Sequence, residues 1–499
     1  MVDETCKRHD ESVNFCKKSD KMKFLLFVAE AFLAGIAVVI GIVGQFYIQK
    51  KGEYSSIAKK GYKYQFAESN NMHQQTVLIA DGKFLLAPVK NNWDSLVLKL
   101  FVAKNILRKG IFPSVTIVSG EKSEVQYLVS GARGIQYLNL SPVVTEGSCP
   151  DYIELLCDGI RIADQKAALL YFDSIKKNEN ILVIAPHPDD AEIAAFGLYS
   201  KFQNVTLVHI TAGDSTSDKY SFLGGELTQR QLLGFIRVID TLAASHWCEH
   251  VPDVLNLGYP DKLLKEMYEF RDNFERNDSQ INDVNKYRTY CKCAKNIAPI
   301  ASVSWKELVN DLIIILNEYS PTIIVTPHPM MDLHPDHQYA TVALADALKK
   351  CQLNTDIFFY TNHAISSEEI PYGPAGSIHS LVPWDNEQLV FKSVYSQTLS
   401  DTDIQRKFMS LYSMSELRNI DCERNKFLDR GNIKKRIRGY IRKCINSVKE
   451  LTSIFRFDES FFRRGLMKNE IFYCTTKNEA IKHIDLFLNG NADDFDKKG

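Results

Sequence analysis

The pattern of apolar and polar positions divides the chain into three parts. Residues 24–48 are apolar apart from Glu30 and Gln45. Between 54 and 177, short apolar runs such as 76–79, 83–87 and 114–118 predict β-strands, and a run over 96–107 predicts an amphipathic helix. From 178 onwards, strand-length apolar runs are followed by segments of helical spacing. The last part therefore has the pattern of an open α/β sheet.

The apolar run at 24–49 predicts a single transmembrane helix, because its length suffices to cross the hydrocarbon core. Phe46 and Tyr47 fall at an interfacial position, with Lys50 just outside. A cleaved signal peptide and a buried soluble helix are the alternatives. Lysines flank the run on both sides, and eleven scattered cysteines fit a reducing compartment. The sequence therefore predicts a single-pass membrane protein and leaves open the side on which the remainder lies.

Polar motifs follow two predicted strands at their carboxyl ends. The strand at 180–185 precedes Pro-His-Pro-Asp-Asp at 186–190, and the strand at 322–326 precedes Asp-Leu-His-Pro-Asp-His at 332–337. A helix is predicted after each motif, the second beginning near Pro335. Open α/β sheets place ligands in a crevice at the carboxyl ends of their strands. We therefore expect the two motifs to face one crevice, although either motif alone is also typical of a turn.

The residue types in the two motifs suit a catalytic zinc ion. Such an ion takes three protein ligands and leaves a fourth position for water or substrate. His187, Asp190 and His337 supply that set. Asp189 remains beside the metal, where a carboxylate can take a proton from the attacking water. Another divalent metal is also compatible with these ligands.

Two further residues of the second motif are candidates for supporting roles. His334, as an imidazolium, could stabilise the negative charge that develops on a carbonyl oxygen. Asp332 is close enough in sequence to orient His334.

The two motifs resemble those of the PIG-L or LmbE-like deacetylases, over roughly residues 180–362. The resemblance implies a Rossmann-like, mostly parallel sheet with flanking helices. It implies zinc bound by His187, Asp190 and His337, with Asp189 as general base and His334 as electrophilic partner. It also implies hydrolysis of an N-acetyl group, typically on a glucosamine unit.

Weaker similarities to the family lie between the motifs. Asp214 stands where the family often has a glutamate, Arg230 lies near the start of a predicted helix, and Asp261 ends a Leu-Gly-Tyr-Pro-Asp segment. The resemblance suggests that these three residues bind substrate, although Arg230 also fits a solvated helix charge. A polar insert at 262–303 is either a lid or glycan-binding loop or a surface excursion.

Length and charge complete the predicted organisation. The chain of 499 residues is too long for one typical domain. We predict a tail at 1–23, the transmembrane helix at 24–49, an α/β or β-rich accessory domain at 54–177, a deacetylase domain at 178–480 and a tail at 481–499. A net charge of −1 gives no electrostatic basis for nucleic-acid binding.

These observations predict a membrane-anchored, zinc-dependent N-deacetylase. Its expected substrate is an N-acetylated amino sugar in a glycolipid or surface polysaccharide, because a membrane anchor favours a substrate in the same bilayer. Two other functions remain open. One is hydrolysis of another small amide, such as a thiol-sugar conjugate, and the other is a catalytically silent glycan-binding or scaffold protein.

Overall fold

A computed structural model describes most of the chain from residue 58 onwards. The described residues are 58–67, 72–86, 93–104, 112–144, 152–173, 175, 179–215, 220, 227–271, 278–290, 297–364, 369–418 and 460–496. All of them belong to one compact unit, Ile57–Gly499. The predicted transmembrane helix at 24–49 lies outside them. None of the helices in these ranges is both long and apolar enough to cross a membrane.

The part before residue 174 is rich in β-structure. Its strands are β1 (Lys63–Phe66), β2 (Met72–Leu78), β3 (Lys83–Leu85), β4 (Trp93–Lys104), β5 (Ser114–Ser119), β6 (Lys122–Tyr127), β7 (Gly134–Asn139), β8 (Tyr152–Asp158), β9 (Ile160–Ile162) and β10 (Lys166–Asp173). An antiparallel sheet has the order β2-β10-β4-β7, with β9 also paired to β4. A second antiparallel sheet has the order β3-β8-β5-β6. Of the two fold classes predicted for this part, the β-rich one is confirmed.

The amphipathic helix predicted over 96–107 is wrong for its described residues, which belong to β4 up to Lys104. Leu96, Val97 and Leu98 are all fully buried, so the run contacts protein on both faces of its sheet. A continuous apolar run of this kind has no clear period, and periodicity alone cannot separate a buried strand from a buried helix. The described residues form a strand rather than a helix because they pair with β10 on one side and with β7 on the other.

The second part is an α/β fold. Its strands are β11 (Asn180–Ala185), β12 (Asn204–Thr211), β13 (Asp253–Tyr259), β14 (Ile323–Pro327), β15 (Asp356–Tyr360), β16 (Asp385–Phe391), β17 (Ser393–Thr398) and β18 (Asn469–Thr476). Seven of them form one sheet of order β13-β12-β11-β14-β15-β18-β17. The first five are parallel, and β18 is antiparallel to both β15 and β17. The predicted mostly parallel sheet is therefore confirmed.

Helices connect the strands of this sheet. They are α1 (Asp190–Lys201), α2 (Gln229–Ser245), α3 (Leu264–Phe270), α4 (Asp278–Arg288), α5 (Trp305–Tyr319), α6 (Pro335–Leu348), α7 (Asp401–Ser413), α8 (Phe461–Gly465) and α9 (Lys477–Asp496). The strand order reverses between β11 and β14, because the chain adds strands on one side of β11 and then on the other. Such a switch point opens a crevice at the carboxyl ends of the two strands. The two sequence motifs begin at this crevice.

Hydrogen bonds between neutral side chains and backbone groups hold the β-rich part against the α/β sheet. Asn139 donates to Ser396 Oγ at 2.8 Å, and the backbone N–H of Ser396 donates to Ser95 Oγ at 2.8 Å. The ring of Tyr64 stacks on that of Tyr473, with centroids 5.5 Å apart. The boundary predicted between 177 and 178 therefore falls inside one compact unit. The domain limits themselves stay a prediction.

The insert predicted at 262–303 contains two helices, α3 and α4, in its described residues. Val284 and Tyr287 of α4 are each only 1% exposed, so this helix is part of the packed structure. Arg288 forms an ion pair with Asp311 of α5. Much of the insert is therefore integrated into the fold.

A buried ion pair braces the middle of α1. Lys407 Nζ donates to Glu470 at 2.7 Å and to the carbonyl oxygen of Ile193 at 2.8 Å. The backbone N–H groups of Gly197 and Leu198 donate to the two oxygens of Glu470 at 2.8 and 3.0 Å. These contacts satisfy helix groups from outside the helix. They fix α1, which begins at Asp190 in the first motif.

Candidate metal centre

The first motif forms the turn between β11 and α1. The backbone N–H of His187 donates to Asp190 Oδ2 at 2.9 Å, which closes the turn. Asp189 precedes the helix and has a φ of 111°, a value that L-residues rarely adopt. Its side chain makes no capping hydrogen bond to the helix, although Asp is a favoured capping residue. The turn therefore leaves the Asp189 carboxylate available for another contact.

The second motif joins β14 to α6. Pro335 occupies the start of the helix, as its position in the motif predicted, because its fixed φ suits the first helical residue. His334 precedes the helix, and His337 lies in its first turn. Both motifs thus stand at carboxyl ends of neighbouring parallel strands.

The three predicted metal ligands converge. The distances are 3.1 Å from His187 Nδ1 to Asp190 Oδ2, 3.0 Å from His337 Nε2 to Asp190 Oδ2, and 3.3 Å between the two imidazole nitrogens. Ligand atoms around a tetrahedral zinc ion stand about 3.3 Å apart, given zinc–nitrogen bonds of about 2.0–2.1 Å. Two nitrogens and one carboxylate oxygen are also a donor set that zinc prefers. The residues therefore fit a zinc ion by chemistry and by spacing.

Further carboxylates hold the two histidines from behind. His187 Nε2 lies 3.0 Å from Asp261 Oδ1 and 3.2 Å from Asp336 Oδ2. His337 Nδ1 lies 3.0 Å from Asp332 Oδ2. In such arrangements the second ring nitrogen is held by a carboxylate, which orients the ring and presents the first nitrogen to a metal. Both histidines thus have a carboxylate oxygen within 3.2 Å of the second ring nitrogen.

The electrostatics of the cluster favour a cation. Burial disfavours a charged His337, but Asp190 and Asp332 outweigh it and raise its pKa to about 10. Burial likewise opposes a charged His187, and hydrogen bonds to Asp190, Asp261 and Asp336 raise its pKa well above the usual value. Burial opposes ionisation of Asp190, yet the nearby histidines hold its pKa well below the ordinary range. The carboxylates that favour protonated imidazoles here also favour a divalent cation.

Asp189, the predicted base, lies beside this cluster. Arg237 Nη2 is 3.1 Å from Asp189 Oδ2. Burial raises the pKa of Asp189 to about 6, with Arg237 lowering it and Asp190 raising it. A carboxylate with a pKa near neutrality is suited to accept and return a proton.

His334 lies beside two of the predicted ligands, and it groups with His187 and His337 as a further possible metal donor. Its ring centroid is 4.8 Å from that of His187 and 4.9 Å from that of His337. Burial and the two neighbouring histidines lower its pKa to about 4, which favours the neutral ring over the imidazolium, and its catalytic role stays a prediction. A neutral imidazole still donates one hydrogen bond.

Asp332 was expected to orient His334. Its Oδ1 accepts a hydrogen bond from the backbone N–H of His334 at 3.2 Å. The side-chain partner of Asp332 is His337, because the helix turn brings that ring over the carboxylate.

The three residues predicted to bind substrate form a connected group. Arg230 donates two hydrogen bonds to the Asp214 carboxylate, at 2.6 and 3.2 Å. Asp214 also accepts a hydrogen bond from the backbone N–H of Asp261 at 2.9 Å. Asp261 reaches the metal cluster through His187. Their roles toward substrate stay a prediction.

Sequence reasoning missed several residues of the site. Asn362 donates to Asp190 Oδ1 at 2.8 Å, and Asp336 contacts His187 although it lies inside the second motif. His363 groups with Asp190 and His337 as a possible metal donor, and its ring centroid is 5.0 Å from that of His337. Arg237 contacts Asp189 from α2. Asn362 and His363 follow β15, so the rule that pointed to the ends of β11 and β14 would have found them.

A Rossmann-ordered sheet with a buried His–Asp cluster at its switch point defines an α/β protein with a candidate metal centre. Residues 182–348 match the family model described as PIG-L: GlcNAc-PI de-N-acetylase. Residues 182–348 therefore form a PIG-L-type domain, which makes up about a third of the chain. No curated protein sequence matches the chain.

Three solved structures are similar to parts of the chain. N,N'-diacetylchitobiose deacetylase from Pyrococcus horikoshii is 16% identical, with 60% of this chain and 84% of that chain covered at a TM-score of 0.31. The zinc-inhibited form of teicoplanin deacetylase Orf2 is 13% identical, with 59% and 98% covered at a TM-score of 0.31. GalB, the 4-carboxy-2-hydroxymuconate hydratase from Pseudomonas putida KT2440, is 13% identical, with 48% and 79% covered at a TM-score of 0.28.

Proposed function

We propose that this chain is a zinc-dependent N-deacetylase that removes the acetyl group from an N-acetylated amino sugar of the N-acetylglucosamine type. The observation that carries the proposal is the convergence of His187, Asp190 and His337 within 3.0 to 3.3 Å. The PIG-L match supports the reaction, since that family is described by the removal of an N-acetyl group from an N-acetylglucosamine lipid.

Each step of the proposed reaction assigns a task to a residue of the chain. A bound zinc ion supplies Lewis acidity toward the acetyl carbonyl and toward water. Asp189 accepts the proton of the attacking water and returns it to the departing amine. His334, as a neutral imidazole, donates a hydrogen bond to the carbonyl oxygen as negative charge develops there. Asp332, Asp336 and Asn362 hold the metal-binding side chains in place.

The proposed substrate is part of a glycolipid or surface polysaccharide. The apolar segment at 24–49 supports this choice, because a membrane anchor raises the encounter rate with molecules in the same bilayer. We propose that the chain is a single-pass membrane protein. Extraction of the full chain from membranes by detergent but not by high salt is the expected result, and release by salt alone would contradict it.

Acetate release from the purified full chain tests the proposed activity. N-acetylglucosaminyl-phosphatidylinositol in vesicles, soluble N-acetylglucosamine oligomers and an N-acetylated thiol sugar serve as three probes. We expect acetate from the lipid probe, and a loss of about 100-fold to 10,000-fold in Asp189→Asn, the range that a general base contributes. Asp253→Asn is the matched control, because Asp253 is exposed at the opposite end of its strand.

The three probes separate the possible outcomes. Faster acetate release from the thiol sugar than from the other two probes would indicate that the substrate is another small amide and not the proposed amino sugar. Equal release by wild type and Asp189→Asn would remove the proposed base. Zinc binding without any acetate release would favour a glycan-binding protein that has kept the fold.

A further inference from the structure

The guanidinium group of Arg237 is buried where three segments of the α/β part meet. Arg237 projects from α2 and is 9% exposed. Its Nη2 donates to the carbonyl oxygen of Pro188 at 2.6 Å and to Asp189 Oδ2 at 3.1 Å, and its Nη1 donates to the carbonyl oxygen of Gly213 at 3.2 Å. A buried charge is costly unless it is paired and hydrogen-bonded, and these contacts meet that requirement.

The backbone around Arg237 has two features that allow these contacts. Gly213 has a φ of 63°, and a Cβ added there would lie 2.6 Å from Cζ of Arg237. Asp189 has its unusual φ of 111° in the turn that Arg237 contacts twice. Residues held in rarely populated backbone conformations persist when their surroundings fix them, and they cluster at functional sites. The glycine and the strained turn are therefore consistent with a fixed place for the guanidinium.

We propose that Arg237 is a positioning residue for the deacetylation step: it fixes Oδ2 of Asp189 and leaves Oδ1 as the oxygen that takes up the proton. Within the described residues, Oδ1 accepts no hydrogen bond, whereas Oδ2 accepts one from Arg237. This proposal rests on the proposed function of Asp189 as the base. Arginine suits the task because its planar fork holds Nη1 and Nη2 in a fixed geometry toward acceptors on different segments, whereas a lysine ammonium is a point charge on a flexible stem.

A double-mutant cycle tests the proposal in the full-length, zinc-loaded protein. In Arg237→Gln we expect kcat to fall on the order of 100-fold, as for a misplaced catalytic group, with KM within about twofold. In an Asp189→Asn background the same change is expected to alter kcat by less than about twofold, because Arg237 acts through that carboxylate. A second 100-fold loss in that background would overturn the proposal.

Arg288→Gln is the matched control, since Arg288 forms another largely buried Arg–Asp pair outside the site. It is expected to lower the free energy of unfolding and leave kcat unchanged. Should Arg237→Gln fail to fold, two other single variants take its place, Arg237→Lys and Gly213→Ala. Both keep a positive charge at position 237, and each disturbs the geometry in which the guanidinium group contacts Asp189. Each is expected to lower kcat and to keep stoichiometric zinc, and an unchanged kcat in both would contradict the proposal.

A second measurement does not depend on activity. Crystal structures of zinc-loaded wild type and Arg237→Gln should show the Asp189 carboxylate displaced in the variant, with His187, Asp190 and His337 in place. An Asp189 carboxylate that stays in place would overturn the proposal. If wild type releases no acetate from any probe, the proposed function fails on those substrates, while this comparison still decides the role of Arg237.

Discussion

The β-rich part and the α/β part of this molecule bury different kinds of polar groups. In the described residues before 174, the buried polar side chains are all neutral: Ser95, Ser119, Gln126, Gln136, Asn139 and Ser141. The α/β part buries many ionisable groups, among them His187, Asp189, Asp190, Arg237, Asp332 and His337. Both parts nevertheless belong to the same compact unit.

The difference shows what buried polarity does in each part. A buried neutral group costs little once it is hydrogen-bonded, and it fixes how two surfaces pack. Buried charges cost more, and replacing them with apolar residues is often neutral or stabilising, so they are weak evidence for stability. In the α/β part many of the buried charges lie at the crevice between the carboxyl ends of β11 and β14, which is where open α/β sheets place their ligand-binding sites. We therefore expect mutations in the two parts to separate stability from chemistry.

Among changes to the metal ligands and their supporting residues, the largest effect on chemistry is expected from His337→Ala. Its removal leaves two of the three converging ligands, so zinc should no longer be retained. Losing Lewis acidity worth several kcal/mol corresponds to a fall of about 1000-fold in acetate release. Elemental analysis of the purified variant would check zinc content beside the acetate assay. Stoichiometric zinc in the variant would contradict the assigned ligand set.

Lys407→Met is expected to have the largest effect on stability. The change leaves Glu470 buried without its cation, and breaking a buried ion pair from one side costs about 3–5 kcal/mol. Chemical denaturation of the metal-free protein measures this loss. The double variant Lys407→Met/Glu470→Gln should recover part of it, because no unpaired charge remains. A single variant as stable as wild type would contradict the role of the pair in bracing α1.

Asn362→Ala is expected to weaken zinc binding without removing a ligand. Asn362 holds Asp190 by hydrogen bonds to its side-chain and backbone oxygens, at 2.8 and 3.1 Å. Loss of a supporting group of this kind typically lowers metal affinity by about 10-fold to 100-fold. Competition with a chromogenic chelator would measure the affinity. If the variant binds zinc as tightly as wild type, residues other than Asn362 hold Asp190 in position.

The smallest effect, and one confined to stability, is expected from Asn139→Ala. Asn139 joins the two parts by donating to Ser396 and to the carbonyl oxygen of His379. Its removal leaves buried acceptors unpaired, at a cost of about 1–3 kcal/mol in the free energy of unfolding. Zinc affinity and kcat should not change. A fall in either would show that the contact between the parts also supports the site.

Much of the α/β part could be predicted from local sequence. The predicted strands at 180–185 and 322–326 agree with β11 and β14 within a residue, because short apolar runs bounded by turn residues are distinctive when helices follow. The helix beginning at Pro335 followed from the fixed φ of proline. The run at 96–107 lacked such local boundaries, and pairing with β10 and β7 is what makes its described residues a strand.

Within the site, the sequence by itself determined which metal donors are present and that they follow the ends of strands. His and Asp supply the donor atoms, and Pro and Asp favour the turns that follow the strands. The tertiary structure decided which groups support them. Arg237 is 48 residues from Asp189 along the chain, and Asn362 is 172 residues from Asp190. Contacts at such separations depend on how the strands pair and the helices pack, so a local pattern can place Asn362 at a strand end but cannot specify its contact with Asp190. The same packing brought the Asp332 carboxylate to the ring of His337, in addition to its contact with the backbone of His334.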